Sequence, residues 1–208
     1  MNAKDDISPT SFPPVEFPLP DPADIPEDIR EYLAQQTEKA GFTPNVFIAL
    51  ARRPAEFWAF VNYYDALMTK ETGNLTKADR ELIVTATSAA NGCLYCVVSH
   101  GAFLRIYARD KHIADKVAVN PRHAGLAPRQ QAIVDLAVKL ARSPELVRQA
   151  DYVPVLQQGL DAEDIWDIAA VTGFFGLSNR MAIVGGIQPN PEFYVMGRVP
   201  KDQMMDLA

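Results

Sequence analysis

The sequence predicts an all-α protein, and three observations lead to that prediction. Apolar side chains recur at the three- and four-residue spacing of helices, and no alternating β pattern extends beyond a few residues. Helix-start and helix-stop signals separate the periodic stretches, such as Gly41 after the first and Thr76 before a later one. Hydrophobic residues make up 48% of the 208, enough for a substantial core. We therefore expect one helical domain over residues 27–187.

The two ends of the chain differ from this domain in their proline content. Seven of the 16 prolines lie in residues 1–26, a density that favours extended chain over helix. We expect extended arms over 1–26 and 188–208, and a homo-oligomer in which an arm crosses to a neighbouring subunit. The arms carry apolar side chains that need cover: Phe12, Phe17, Phe193, Tyr194 and Val195.

Between the arms, helices are expected where apolar spacing and boundary residues agree. Thr76 followed by Asp79 is typical of an N-cap with an acid at the third helical position. Asp161 with Asp164 repeats that pattern, and Pro128 suits a first helical turn. The predicted helices are 27–40, 45–51, 54–68, 77–90, 94–107, 113–119, 128–141, 152–157 and 162–184.

Two of these helices show features beyond their length. The helix at 77–90 is apolar on nearly every side after Glu81, which is typical of a buried helix. The last helix contains Gly173 and Gly176, each of which costs about 1 kcal/mol relative to alanine. We expect another helix to approach closely at these glycines.

Charge and hydropathy exclude several classes of function. The formal net charge is −6, which argues against a nucleic-acid partner because such a partner requires a basic surface. No run of 18 apolar residues is present, so we expect no membrane-spanning helix. Residues 1–10 show no signal-peptide pattern. We therefore expect a cytoplasmic protein, in which a CxxC pair is more often redox-active or metal-binding than a structural disulfide.

The chemistry of the chain is concentrated in the stretch NGCLYC at residues 91–96. It holds both cysteines of the protein, and His100 follows four residues after Cys96. On a helix at 94–107, Cys93, Cys96 and His100 share one stripe, and Cys96 and His100 are an i, i+4 pair. Two thiols that can bridge, with a base beside one of them, are the parts of a redox site.

Other interpretations of these residues remain open on local grounds. The thiols could be two buried apolar groups or half of a metal site, although zinc requires four ligands and only three are at hand. We predict no metal and no cofactor. His100 could be a core histidine, and Glu81 reads locally as a first-turn acid that complements the helix dipole. The dipole favours a thiolate at Cys93, whereas His100 is nearer Cys96, so the attacking thiol is undecided.

At these residues the sequence resembles the alkylhydroperoxidase D / carboxymuconolactone decarboxylase superfamily, and its branch of peroxidase-related proteins in particular. The match consists of Glu81, the NGCLYC stretch and His100 at the spacing of the family. It extends more weakly over residues 30–187, including Ser178-Asn179-Arg180 in the last helix. The resemblance implies an AhpD-like helical bundle that forms oligomers.

The resemblance also implies a mechanism. In the described relatives two cysteines reduce a hydroperoxide and form a disulfide, while a histidine and a glutamate relay protons and activate the second cysteine. Carried over, the catalytic residues are Cys93, Cys96, His100 and Glu81, with Cys96 reacting with the peroxide and Cys93 resolving. Tyr95 stands where the described alkylhydroperoxidase has a histidine, so any contribution from that histidine is absent.

We therefore predict a thiol-dependent peroxidase that cycles between dithiol and disulfide. Its partners would be a small hydroperoxide and an external dithiol or thioredoxin-like reductant. One alternative is a non-catalytic redox switch or oligomeric binding protein. Another is a carboxymuconolactone decarboxylase-like activity. The decarboxylase members of the superfamily lack the thiol pair, which argues against this alternative. His112 and His123 lie in polar segments, and we expect both to be plain surface residues.

Overall fold

A computed structural model describes residues 16–70, 73–200 and 203. This part of the chain is all-α, with ten α-helices and no strand, which confirms the predicted fold class. The predicted helix bounds agree with the observed ones to within a residue or two at each end. The helices are α1 (Glu27–Ala40), α2 (Asn45–Ala51), α3 (Pro54–Met68), α4 (Lys77–Ala90), α5 (Leu94–Ala108), α6 (Ile113–Val119), α7 (Pro128–Arg142), α8 (Val153–Gln157), α9 (Ala162–Val184) and α10 (Glu192–Val195).

Local chemistry accounts for the main helix boundaries. Gly41 ends α1 in the left-handed region, at φ +89°, where a residue without Cβ is favoured. Thr76 and Asp79 form a capping box at the start of α4: the Asp79 N–H donates to Thr76 Oγ1, and the Thr76 N–H donates to Asp79 Oδ2. The Asp161 carboxylate accepts two backbone N–H groups at the start of α9.

Helix α4 lies at the centre of the bundle, with α5, α6, α7 and α9 packed around it. Every residue of α4 from 79 to 88 is buried, as its nearly all-round apolar pattern predicts. One apolar cluster joins it to α3, α7 and α9 through Ile83 and Phe175, and a second joins it to α5 and α6 through Leu82 and Leu104. Polar side chains on α4 are therefore shielded from solvent and must find partners inside the protein.

The C-terminal segment packs against the bundle, in contrast to the extended arm expected from its sequence. Residues 192–195 form α10, and Phe193 is buried beside Phe42. Arg105 holds the segment on α5, because its guanidinium donates to the carbonyl oxygens of Phe193 and Met196. A single helical turn brings the aromatic side chain into its own subunit's core, so Phe193 needs no partner subunit for cover.

The N-terminal segment is described only from residue 16. There the Arg52 guanidinium lies over the Phe17 ring, and the distance from Arg52 Cζ to the ring centroid is 4.9 Å. Phe12 and the rest of residues 1–15 lie outside the described residues. The crossing arm, the homo-oligomer and the domain boundaries near residues 26 and 187 therefore stay predictions.

The long helix α9 differs from expectation at its two glycines. A Cβ at Gly173 would meet no atom within 4 Å, and a Cβ at Gly176 would meet only the Arg180 side chain. Within the described chain, no second helix approaches at these positions, because both face the outer side of α9 while Phe174 and Phe175 face inward. Neither α9 nor any other described helix combines the length and apolar character needed to cross a membrane.

Candidate redox site

The turn between α4 and α5 positions the two cysteines. Asn91 ends α4, and Gly92 follows at φ +70°, a conformation that favours glycine. Cys93 is then the N-cap of α5, where its Sγ accepts a hydrogen bond from the backbone N–H of Cys96 at 3.4 Å. A sulfur thus occupies the position that a serine or aspartate oxygen fills at many helix starts. Cys96 lies one turn on, inside the helix.

The two thiols are free and buried, and each changes the pKa of the other. The hydrogen bond from Cys96 is the main cause that lowers the pKa of Cys93 from its usual 9.0 to about 7; burial opposes it, while Asn179 and the charge of His100 assist. The same contact and burial raise the pKa of Cys96. Near neutral pH the pair therefore shares one negative charge, which resides mainly on Cys93.

A buried histidine–carboxyl contact lies one turn beyond the thiols. His100 Nδ1 is 2.7 Å from Glu81 Oε2, and the two residues are 8% and 4% exposed. The Phe175 ring packs edge-on against the imidazole, with centroids 4.6 Å apart. Burial and the nearby charge of Glu81 raise the pKa of Tyr64 well above its usual value, so its phenol stays neutral beside the pair. Glu81 thus turns inward to His100, whereas a first-turn acid would face solvent.

Two polar residues of α9 complete the surroundings of the thiols. Ser178 Oγ is 3.8 Å from Cys96 Sγ, and the Asn179 side chain lowers the pKa of both cysteines. The sequence resemblance covered these two residues without giving them a role. The signal that could have singled them out is their polarity in the C-terminal half of α9, where the other buried residues are Phe174, Phe175 and Ala182.

A cavity of about 790 Å³ opens above this site. Cys96, Ser99, His100 and Ser178 form its polar floor, and Cys93 lies behind them, outside the lining. Its walls are mostly aromatic: Tyr32, Phe42, Phe47, Phe60, Tyr64, Tyr95, Phe103, Tyr107, Phe175 and Phe193. Access and acidity therefore favour different cysteines, because the cavity reaches Cys96 whereas the thiolate resides on Cys93.

The remaining polar residues considered from the sequence lie away from this chemistry or serve packing. The Tyr95 hydroxyl accepts a hydrogen bond from the Val46 backbone N–H at 3.3 Å and so ties α5 to α2. His112 and His123 are exposed. Across residues 16–70 and 73–200, no group of three or more His, Cys, Asp or Glu side chains is arranged to hold a metal ion.

Comparison with known proteins relates this site to a family. Residues 54–138 match the Carboxymuconolactone decarboxylase family. The chain is 54% identical to an uncharacterized peroxidase-related protein from Ralstonia eutropha JMP134, described as an alkylhydroperoxidase AhpD core; the TM-score is 0.86 over 92% of this chain and 100% of that one. A peroxidase-related protein from Silicibacter sp. TM1040 is 36% identical, with a TM-score of 0.83 over 88% and 95% of the two chains.

A more distant likeness concerns the fold alone. The debrominase Bmp8 is 16% identical to this chain, with a TM-score of 0.71 over 89% of this chain and 96% of that one. At that identity the shared feature is the arrangement of helices, and function does not follow from it. No curated protein matches the chain.

Proposed function

Because the chain belongs to the alkylhydroperoxidase D / carboxymuconolactone decarboxylase superfamily, we propose that it is a thiol-dependent peroxidase acting through Cys93 and Cys96. Membership of the superfamily supports a peroxidase-related or decarboxylase-like role. The observation that carries the finer proposal is the pair of buried thiols one helical turn apart, with one sulfur on the floor of an open cavity. A decarboxylase would need no such pair.

The first step resolves the conflict between access and acidity. The proton of Cys96 moves along the hydrogen bond to the Cys93 thiolate, which transfers the negative charge to the sulfur that faces the cavity. The Cys96 sulfur then attacks the terminal oxygen of the hydroperoxide and the O–O bond breaks. The alkoxide takes a proton from His100, which lies against Glu81, and leaves as an alcohol. Cys96 becomes a sulfenic acid, oxidised by two electrons.

The second step closes the disulfide. The Cys93 proton passes to the now neutral His100, and the Cys93 thiolate attacks the Cys96 sulfur. The hydroxide that leaves takes the proton from His100 and becomes water. Two thiols and one hydroperoxide have then given one disulfide, one alcohol and one water. Glu81 serves throughout by orienting the imidazole and balancing its charge.

An external dithiol must return the disulfide to the reduced state. A thioredoxin-like protein or a small dithiol would supply the two electrons and two protons. The cavity above Cys96 is the route by which such a thiolate reaches the disulfide, since Cys93 lies behind the lining. Attack at Cys96 would release Cys93 first, which is the better leaving group because of its lower pKa.

The test is peroxide consumption with dithiothreitol as electron donor, in wild type and in Cys93→Ser and Cys96→Ser. We expect turnover in wild type, loss of the protein-dependent rate in Cys96→Ser, and a lower rate in Cys93→Ser, where dithiothreitol must reduce the Cys96 sulfenic acid directly. Val119→Ser is the matched control, since that side chain is 87% exposed. Unchanged turnover in Cys96→Ser would overturn the proposal.

The same assay separates the alternatives. A redox switch would form one disulfide per chain with peroxide but would show no catalytic turnover with any dithiol. A decarboxylase-like enzyme would act on a small acid and keep that activity in Cys96→Ser while losing it in Glu81→Gln, because the acid–base pair alone would carry the reaction.

A further inference from the structure

The size of the cavity bears on which hydroperoxide is the substrate, an inference that rests on the proposed function. Its volume of about 790 Å³ lies in the roughly 300–1,000 Å³ range of pockets that hold organic ligands. A water molecule occupies about 30 Å³ in the liquid, so hydrogen peroxide would fill a small part of this space. The remaining volume is suited to the organic group of a larger hydroperoxide.

The walls of the cavity define the chemistry of that group. Of the described residues that line it, ten are aromatic, and the Phe103 and Tyr107 rings lie nearly parallel, with an interplanar angle of 20°. Aromatic faces and edges favour a ring-bearing partner over a branched aliphatic one. At the rim, Lys39 lies near Asp65. Burial raises the pKa of Asp65, and the positive charge of Lys39 partly offsets this rise. A carboxylate ligand would gain from one of these charges and be repelled by the other.

We propose that the cavity binds a neutral hydroperoxide with an aromatic or similarly flat apolar body, its peroxide group directed to Cys96 and His100. The apolar body replaces water along the aromatic walls, and the floor supplies the polar groups that the peroxide requires. Discrimination against hydrogen peroxide then comes from binding of the body, not from the reactivity of the thiols.

Binding can be measured without turnover in the Cys96→Ser protein. The probes are 2-phenylpropan-2-ol, the alcohol product of cumene hydroperoxide, together with tert-butanol and benzoate, each titrated by calorimetry. We expect the aromatic alcohol to bind at least tenfold more tightly than either of the others. Equal binding of the two alcohols, or tighter binding of benzoate, would overturn the proposal.

Wall variants locate the binding site. Phe103→Ala, in the Cys96→Ser background, should weaken binding of the aromatic alcohol about 3- to 10-fold, the effect of one lost aromatic contact. Tyr107→Ala, a half-exposed position at the rim, gives a second test if Phe103→Ala fails to fold. Trp166→Ala is the control, since that aromatic is 73% exposed on the outer face of α9. Unchanged affinity in both wall variants would contradict the assignment.

Failure of this inference and failure of the proposed function are distinguishable. If the alcohol binds as expected and no hydroperoxide is turned over, the cavity assignment stands and the peroxidase proposal fails. If the enzyme turns over hydrogen peroxide and cumene hydroperoxide with equal kcat/KM, the peroxidase proposal stands and the cavity assignment fails.

A different observation, the hydrogen bonding of Asn179, carries a second inference. This side chain is fully buried in α9. Its Oδ1 accepts from Asn91 Nδ2 at 2.8 Å, and its Nδ2 donates to Ser88 Oγ at 2.9 Å. The same side chain lowers the pKa of both Cys93 and Cys96.

The donor capacity of the amide fixes which group faces the sulfurs. An asparagine amide has two N–H donors and one carbonyl acceptor. Since the carbonyl of Asn179 is engaged by Asn91 and one N–H by Ser88, the second N–H is the group left for the thiols. Rotating the amide by 180° would place N–H against the donor of Asn91. The network therefore directs an N–H donor of Asn179, and not its carbonyl acceptor, towards the Cys93 sulfur that carries the charge.

We infer that Asn179 is a positioning residue that stabilises the thiolate of the reduced pair and thereby sets the reduction potential of the disulfide. A hydrogen-bond donor stabilises a thiolate more than it stabilises a neutral disulfide sulfur. Stabilising the reduced state makes the disulfide easier to reduce, which is how a low-pKa thiol produces an oxidising pair. The inference holds whichever oxidant closes the disulfide.

The test pairs two measurements on Asn179→Leu and Asn179→Asp: thiolate absorbance near 240 nm against pH, and the reduction potential from equilibration with a dithiothreitol buffer. In both variants the thiolate should form at higher pH than in wild type. The shift should be larger in Asn179→Asp, because that variant places a carboxylate beside the sulfur. Each tenfold loss of thiolate should accompany a potential about 30 mV more negative, the two-electron equivalent.

A purely structural role would give a different pattern. It would lower the thermal midpoint of unfolding while leaving the thiolate titration and the potential of the folded protein at wild-type values. Ser178→Ala is the matched control on the same helix, since Ser178 contacts Cys96 and not the thiolate sulfur; it should shift both readouts by less than either Asn179 variant. Wild-type titration and potential in both Asn179 variants would overturn the inference.

Discussion

Three consecutive charged residues of α4 are all buried, yet they belong to two regions with different roles. Asp79 and Arg80 belong to a network that joins the start of α4 to the start of α9, whereas Glu81 turns to His100 and the candidate redox site. We call the first region the anchor network. Its members are Lys70, Asn74, Thr76, Asp79, Arg80, Arg129, Asp164 and Asp167.

The two regions differ in how completely their charges are paired. In the anchor network, Asp167 accepts both hydrogen bonds of Lys70 at 2.8–2.9 Å, and Asp79 accepts from Arg129 at 2.8 Å. Among the described residues, Glu81 pairs with His100 alone, at 2.7 Å. The anchor network also lies apart from the aromatic cavity, whereas His100 forms part of its floor. Burial of charge alone does not indicate function; a titratable partner and access to a cavity do.

The largest contrast is expected in reactivity. Replacing His100 with alanine removes the proton donor and acceptor of both steps, so peroxide turnover should fall by about 10²–10⁴-fold. Glu81→Gln keeps a hydrogen-bond acceptor without the charge, so its peroxide turnover should also fall, but by a smaller factor. Turnover measured with dithiothreitol is the readout, and Thr76→Ala in the anchor network is the control that should keep the wild-type rate. Wild-type turnover in His100→Ala would reduce that residue to a packing role.

The reverse contrast is expected in stability. Asp167→Ala leaves the buried Arg80 without this carboxylate, and breaking a buried pair costs about 3–5 kcal/mol of unfolding free energy. Urea denaturation measures this loss. Asp115→Ala is the matched control, because it breaks the exposed pair with Arg198, and such pairs contribute only about 0–1 kcal/mol. Similar losses in the two variants would mean that the anchor network does not stabilise the fold.

A smaller effect is expected in the pH dependence of stability. Between pH 7 and 9 native Cys93 is mostly deprotonated while the unfolded chain keeps most of its thiol protons, so the unfolding free energy should rise with pH. Above pH 9 the unfolded chain loses both protons whereas Cys96, with its raised pKa, keeps its own, so the free energy should fall again. The thiol contribution is lost as pH falls below 7. Each proton changes the slope by about 1.4 kcal/mol per pH unit.

The measurement is urea denaturation under reducing conditions from pH 6 to 10, compared with the double variant Cys93→Ser/Cys96→Ser. The difference in unfolding free energy between the two proteins should be greatest near pH 9. A difference that is flat across this range would contradict the shared charge.

The smallest change in unfolding free energy is expected at Thr76, at the edge of the anchor network. Thr76→Ala removes the side-chain cap of α4 and should lower the unfolding free energy by about 1 kcal/mol. Lys77→Ala, at the next and exposed position, is the control for substitution at this helix start. A loss several times larger would show that Thr76 supports the network beyond its capping bond.

The helices of this protein were predictable from local signals, whereas the site was predictable only in part. Gly41, Thr76 and Pro128 act within their own turns, so the sequence near them decides where helices begin and end. The CxxC spacing likewise indicated a thiol pair. The partner of Glu81 could not be found locally, because His100 is 19 residues away and the contact depends on α4 being buried against α5.

The role of α9 was harder to predict for the same reason. Asn179 meets Asn91 across 88 residues of chain, and no spacing rule relates the two. The C-terminal segment is a case in which a local signal was misleading. Proline content suggested an extended arm, but Phe193 is buried because Arg105, far away in sequence, holds its backbone on α5.

We expect the peroxide to meet Cys96, the accessible thiol, and Cys93, the acidic thiol, to resolve the sulfenic acid. One equivalent of cumene hydroperoxide is added to Cys93→Ser and to Cys96→Ser in the presence of dimedone, and the sulfenic acid adduct is located and timed by peptide mass spectrometry. We expect an adduct on Cys96 in Cys93→Ser, and none on Cys93 in Cys96→Ser over the same period. An adduct on Cys93 that forms as fast or faster would contradict this expectation, since reactivity would then follow acidity and not access.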